Sequence, residues 1–168
     1  MRARISLPAL LLVFFPLLLS LSGCTRSGYT LVELAKAGSG TTIVSAILRD
    51  GEEVVLTWKN SLFGLRVTEV FQAQRGTLIL TEVTFADPQG PAPPSVASAD
   101  VDDLYHTGGP FSARGLTKPF TQVVYRVGEI GDPKLKIRDR VVAFKEQVGF
   151  GGAVVLTARI PRWFETPY

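Results

Sequence analysis

The chain has 168 residues, with 18 Lys and Arg against 15 Asp and Glu, one Cys and one His. A lone Cys rules out an intramolecular disulfide, and one Cys with one His falls short of a four-coordinate zinc site. Of the 18 basic residues, Arg2 and Arg4 lie in the leader, and removing them leaves 16 beside 15 acidic ones, too even a balance for a nucleic-acid binder.

The first element is a leader. Arg2 and Arg4 form a basic start, and Leu7 to Leu21 is apolar apart from Pro8, Pro16 and Ser20. That run is shorter than the roughly 20 apolar residues a membrane span takes, and small residues follow it, as in an exported signal segment. Leu21-Ser22-Gly23-Cys24 resembles the lipobox of bacterial lipoproteins, which implies acylation of the Cys24 thiol and cleavage just before it. The competing reading is an uncleaved anchor with an incidental Cys. The expected organisation is a signal peptide at 1–23, a lipid-anchored tether at 24–28 and a single β-rich domain at 29–168. The expected location is the extracytoplasmic face of a bacterial envelope membrane, either inner or outer. Each buried methylene contributes about 0.8 kcal/mol, so two or three acyl chains would hold durably. At about 3.5 Å per extended residue, the tether keeps the domain within roughly 15–20 Å of the bilayer. With Cys24 acylated no thiol remains for chemistry, and no cofactor is expected.

After the leader nearly every segment reads as strand. Tyr29–Leu34 and Thr42–Leu48 are apolar and β-branched, and Arg49-Asp50-Gly51-Glu52 is a turn leading into Val54–Trp58. There Val54, Leu56 and Trp58 share one face, while Val55, Thr57 and Lys59 share the other. Arg66–Ala73 and Thr77–Ala86 read as a hairpin about Gln74-Arg75-Gly76. Strict alternation in the second of these puts Ile79, Val83 and Phe85 on one face, with Leu78 and Leu80 on the other. The stretch from Asp87 to Ser98 carries four prolines and Gly90 and reads as a solvated loop, of a length often used for binding or for covering an edge. Short strands are expected at Leu104–Thr107, Phe111–Ala113 and Thr121–Val127. Leu135–Ile137 pairs with Val141–Phe144, and Val154–Ile160 follows Gly149, Gly151 and Gly152. No segment carries a sustained helical repeat. The predicted class is all-β: an antiparallel β-sandwich or partly open barrel of nine or ten short strands.

The stretch Trp58-Lys59-Asn60-Ser61-Leu62, continuing through Glu69 to Leu78–Phe85, resembles domain of unknown function 1850, a family of small exported bacterial proteins. Tyr125–Gly128, Pro133–Ile137 and the closing apolar strand extend the resemblance over about Glu53 to Ile160. Asn60-Ser61 stands where the family has His-Ser, and Ala86-Asp87-Pro88 where it has Gly-Ala-Gly. The resemblance implies an accessory role beside a TRAP-type transporter of the TAXI class, with its permease or solute-binding protein as partner.

Four side chains are candidates for ligand or partner contact: Asn60, Ser61, Glu69 and Glu82. Glu69 shares a face with Val67 and Phe71, so its carboxylate is expected inside, with Lys59 or Arg66 as counter-charge. With Glu82 on the same hairpin, the pair would suit a cationic or polyhydroxylated ligand. The alternative is a structural or edge-protecting charge. Ser61, His106 and Asp102 or Asp103 can be assembled on paper as a hydrolase triad, but Gly-x-Ser-x-Gly is lacking and Asn60-Ser61 equally reads as a cap. Asp100, Asp102, Asp103 and His106 form the densest acidic cluster, without the bend Gly and distal Glu of an EF-hand calcium loop. The basic-aromatic stretch Arg159–Phe164 suits a headgroup interface, a partner contact or an edge cover packed back on the domain. The leading expectation is a non-enzymatic, membrane-anchored accessory or binding module. An envelope structural or adhesive lipoprotein is the second reading, and a Ser-dependent hydrolase the third.

Overall fold

The structure, a computed structural model, describes residues 28–165. The expected signal peptide, Cys24 and most of the tether lie outside the described residues. Ten antiparallel strands form two sheets that face each other as a partly open sandwich, not closed into a barrel. In chain order they are β1 (Tyr29–Lys36), β2 (Thr42–Arg49), β3 (Glu53–Lys59), β4 (Arg66–Gln74), β5 (Thr77–Ala86), β6 (Phe111–Phe120), β7 (Gln122–Arg126), β8 (Lys134–Ile137), β9 (Arg140–Ala143) and β10 (Ala153–Arg159). The smaller sheet has the order β2-β1-β10-β7, and the larger β6-β5-β4-β3-β8-β9.

Two apolar faces make the core. Val32, Leu34, Leu48, Val154 and Leu156 of the smaller sheet meet Val54, Leu56, Val67, Phe71, Val83, Phe85 and Leu135 of the larger. The Asp50-Gly51 turn does not join paired strands. It is a corner carrying the chain from β2 in one sheet to β3 in the other, fixed by Gly51 N–H donating to the Ala73 carbonyl at 2.8 Å and Arg75 N–H to Asp50 Oδ1 at 2.9 Å. Val54, Leu56 and Trp58 do share the inward face of β3.

The β5 faces differ from the alternation rule. Val70 pairs with Glu82 but Phe71 with Leu80, so Thr81 is an extra residue in the ladder. This bulge shifts the phase of the pleat, and Leu78, Leu80, Val83 and Phe85 all become buried. On the other side of β5, pairing jumps from Leu80–Lys118 to Glu82–Arg114, leaving Gly115–Thr117 outside the ladder, with Gly115 at φ +71°. A Cβ is disfavoured there by the backbone conformation alone.

Two short helices replace predicted strand. Leu104–Thr107 belongs to α1 (Val101–Thr107), which follows a 3-10 turn at Ser98–Asp100, and Phe144 opens α2 (Phe144–Val148). The expected Phe111–Ala113 strand runs on to Phe120. The proline-rich loop covers an edge: Val96 N–H donates to the Ser112 carbonyl at 2.9 Å and Ser112 N–H to that of Pro94 at 2.8 Å. At another edge Arg138 Nη2 donates to the Ile47 carbonyl of β2 at 2.8 Å, tying the β8–β9 turn of one sheet to the other. No helix among the described residues is long and apolar enough to cross a membrane.

Candidate functional site

Interruption of the β5–β6 ladder opens a cleft of about 790 Å³ between the sheets. Its walls are Phe71 and Glu69 of β4, Leu80 of β5, Leu116 and Phe120 of β6, Val123 and Tyr125 of β7, and Val101, Tyr105 and His106 of α1. Phe71 and Phe120 meet edge to face with centroids 5.9 Å apart. The inward half of β7 supplies Val123 and Tyr125, while Val124 between them faces out.

Glu69 is the one carboxylate on the sheet wall of this cleft. It sits half-buried between Val67 and Phe71, in register with Leu56 of β3. Tyr105 donates its hydroxyl to Glu69 Oε1 at 2.8 Å. The phenol is held in place by rings: Phe85 meets it edge to face at 5.1 Å, and Phe111, itself stacked on Phe85 at 4.7 Å, touches it at 6.3 Å. Burial raises the Glu69 carboxyl above the ordinary carboxylate range, and hydrogen bonds from Tyr105 and Trp58 oppose that rise. Both Tyr105 and Tyr125 are pushed above the usual phenol range, by burial first and by the Glu69 charge second.

The counter-charge expected from Lys59 or Arg66 is not there. Those residues pair with each other across the exposed ends of β3 and β4, and Arg66 is out of phase with Glu69 by an odd number of residues. Among the described residues no Lys or Arg forms an ion pair with Glu69. Nor does Glu82 join it. The bulge turns Glu82 outward, where Arg114 Nε contacts Oε2 at 3.1 Å, so the two carboxylates sit on opposite faces.

Asn60 is a buried loop cap. Its Oδ1 accepts the backbone N–H groups of Leu62 at 2.9 Å and Phe63 at 3.1 Å, and the Phe63 ring lies against Gly108. Ser61 in that loop is exposed and lies outside the cleft wall, whereas His106 lines the wall. Asp102 is drawn to Lys118 Nζ at 3.4 Å across the rim, and no hydrogen bond links Ser61, His106 and Asp102 or Asp103. Among the described residues no group of three or more His, Cys, Asp or Glu converges as a metal centre. Sequence reading missed Tyr105, Tyr125 and Phe120 as site residues. All three come from segments whose approach to β4 is long-range, and the one local signal was an acid in an apolar strand.

Chemically, the arrangement is a desolvated carboxylate with a donor hydroxyl from Tyr105 and a donor N–H from Trp58, facing a cleft rich in aromatic rings. No family model matches this chain, and no curated protein or solved structure matches it.

Proposed function

We propose that this protein is a lipid-anchored, extracytoplasmic, non-enzymatic binding module whose inter-sheet cleft holds a small organic cation against Glu69. The observation that carries this reading is the half-buried Glu69 carboxylate facing an aromatic cleft without a basic partner among the described residues. A carboxylate held out of water is costly while charged, and an incoming ammonium or guanidinium group offsets that cost. The rings of Phe71, Tyr105, Phe120 and Tyr125 add an apolar wall and quadrupoles, each worth about 0.5–1 kcal/mol to a cation on their faces. A polyhydroxylated ligand gains less here, because a single charged acceptor offers little against a sugar's several hydroxyls.

The anchoring part of the proposal rests on the lipobox-like Leu21–Cys24. The wider setting, service to a TRAP-type transporter of the TAXI class through its permease or solute-binding protein, rests on the sequence resemblance over Glu53–Ile160. In that setting the module would hold a cationic solute close to the membrane or sense its presence.

The test uses the detergent-solubilised, acylated protein titrated with benzyltrimethylammonium and, separately, with benzyl alcohol, monitored by tryptophan fluorescence. The expected result is saturable binding of the cation alone, weakened by about 30-fold or more by Glu69→Gln, the scale of losing one partner of a desolvated charge pair. Affinity should also fall on acidification, as Glu69 takes up its proton above the ordinary value of 4.5. Equal binding of both probes, or of the cation by Glu69→Gln, would refute the reading.

A further inference from the structure

The Ile160–Glu165 segment that follows β10 forms a built turn with the wrong residues for a solvated one. Glu165 N–H donates to the Arg162 carbonyl at 3.0 Å, placing Trp163 and Phe164 at the two central positions. Central turn positions ordinarily take Gly, Pro, Asn, Asp or Ser. Here they carry two large rings, 69% and 57% exposed, packed edge to face against each other at 5.9 Å. The turn is clamped: Arg159 donates from Nη1 and Nη2 to the two Glu165 oxygens at 2.9 and 2.6 Å, and Arg162 N–H donates to Oε2 at 2.7 Å. This pairing holds the Glu165 carboxyl down to about 2. The backbone thus packs back on the domain as expected, while Trp163 stays largely exposed and Phe164, more than half exposed, edges a groove beside Leu31 and Arg159.

The topology places this turn where the chain leaves for Cys24. Leu31 of β1 pairs with Arg159 of β10, so Tyr29 and the Trp163 turn emerge from the same end of the smaller sheet. The β4–β5 turn closes this end too, since a Cβ on Gly76 would lie 2.6 Å from the Ile160 nitrogen. The other exposed loop pair, Leu62 and Phe63, lies at the far end of β3. Between Cys24 and Tyr29 stand four residues, which span at most roughly 15–20 Å. An acylated Cys24 therefore brings the Trp163 end, not the Leu62 end, down to the lipid.

We infer that Trp163 and Phe164 seat in the headgroup region of the same bilayer that holds Cys24, forming a second contact that fixes the orientation of the domain. This rests on the lipid-anchor reading above. Amphipathic rings favour that depth, with the ring body in the acyl boundary and the indole N–H towards water. The attraction is chiefly apolar: Arg159 and Arg138 at this end are already paired with Glu165 and Glu52, while the Arg162 guanidinium lies over the Phe164 ring at 6.0 Å and adds one charge. The apolar part is insensitive to salt, and only the Arg162 contribution is screened by it.

The full acylated protein is reconstituted in vesicles of phosphatidylethanolamine and phosphatidylglycerol, and flotation is measured first. Trp163 emission is then followed in a Trp58→Phe chain, with acyl-brominated lipids as quencher from the membrane and acrylamide from water. The expected outcome is flotation, a blue-shifted Trp163 signal lost in brominated vesicles at both low and high salt, and protection from acrylamide. Should Trp58→Phe fail to fold, the difference between the unaltered protein and Trp163→Phe gives the same signal. A protein that floats while Trp163 remains open to acrylamide and unquenched by brominated lipid overturns this inference and leaves the anchor standing. A protein that does not float overturns the anchor and this inference with it.

Discussion

Replacing Tyr105 by Phe removes one oxygen and asks how much the Glu69 charge depends on it. The ring, wedged against Phe85 and Phe111, keeps its packing; only the 2.8 Å hydrogen bond is lost. A hydrogen bond to a charged group contributes about 1.5–3 kcal/mol, and one between neutral groups about 0.5–1.5. Where Glu69 is ionised, at pH above its raised titration range, Tyr105→Phe should therefore cost about 1.5–3 kcal/mol in urea unfolding of the detergent-solubilised protein. The pH dependence has a definite sign. The Glu69 carboxyl is raised in the folded state above 4.5, so its folded form gains stability as protons bind and loses it as pH rises through that raised value. Tyr105→Phe removes an influence that lowers it, so the variant loses more stability between low and neutral pH than the unaltered protein does. Below pH 4.5 the penalty should shrink to the neutral range. Glu69→Gln keeps an acceptor for Tyr105 without the charge, and should be at least as stable as the starting protein at pH 7 while losing cation binding. In the Glu69→Gln background Tyr105→Phe should cost only about 0.5–1.5 kcal/mol. Equal costs of Tyr105→Phe in the two backgrounds, or a penalty that does not change with pH, would refute the assignment of a charged, donor-dependent Glu69.

Gly76→Ala should destabilise by about 1–3 kcal/mol in thermal or urea unfolding, because its φ of +80° and the Ile160 nitrogen 2.6 Å from a built Cβ leave no relaxed solution. Its N–H also donates to the buried Thr30 hydroxyl at 2.9 Å, so displacement would strand that group. Deleting Thr81 removes the extra residue of the β5 ladder and forces either Leu78 and Leu80 or Val83 and Phe85 to the outer face; loss of a cooperative unfolding transition is expected. A deletion variant that unfolds at the same urea midpoint would show that the bulge does not set the faces.

Much of the fold is local information. Alternation in β3 and β4 declares its inward faces residue by residue, which is why Val54, Leu56, Val67, Phe71 and the inward Glu69 were legible in the chain. Gly and Pro punctuation marks nearly every turn. The helices escaped because α1 and α2 are seven and five residues long, too short for a 3.6-residue repeat to declare itself. The β5 faces were misread for a related reason: one inserted residue inverts the phase of everything after it, and a bulge leaves little trace in composition.

What the amino-acid order determined by itself was the class of the protein, a chain of short antiparallel strands. It also determined that a carboxylate would point into the core at position 69. Local periodicity suffices for that, since each pleat fixes the direction of the next side chain. Only the tertiary structure decided what meets that carboxylate. Tyr105 lies 36 residues away and reaches it through a helix that no short-range pattern announces. Tyr125 arrives from the opposite sheet, and the cleft exists because two irregularities in neighbouring strands fall side by side. Glu82, on the strand next to that of Glu69, was sent to the outer face by a single threonine. Such outcomes depend on register between distant strands, which is settled by burial of the whole core and not by any window of sequence.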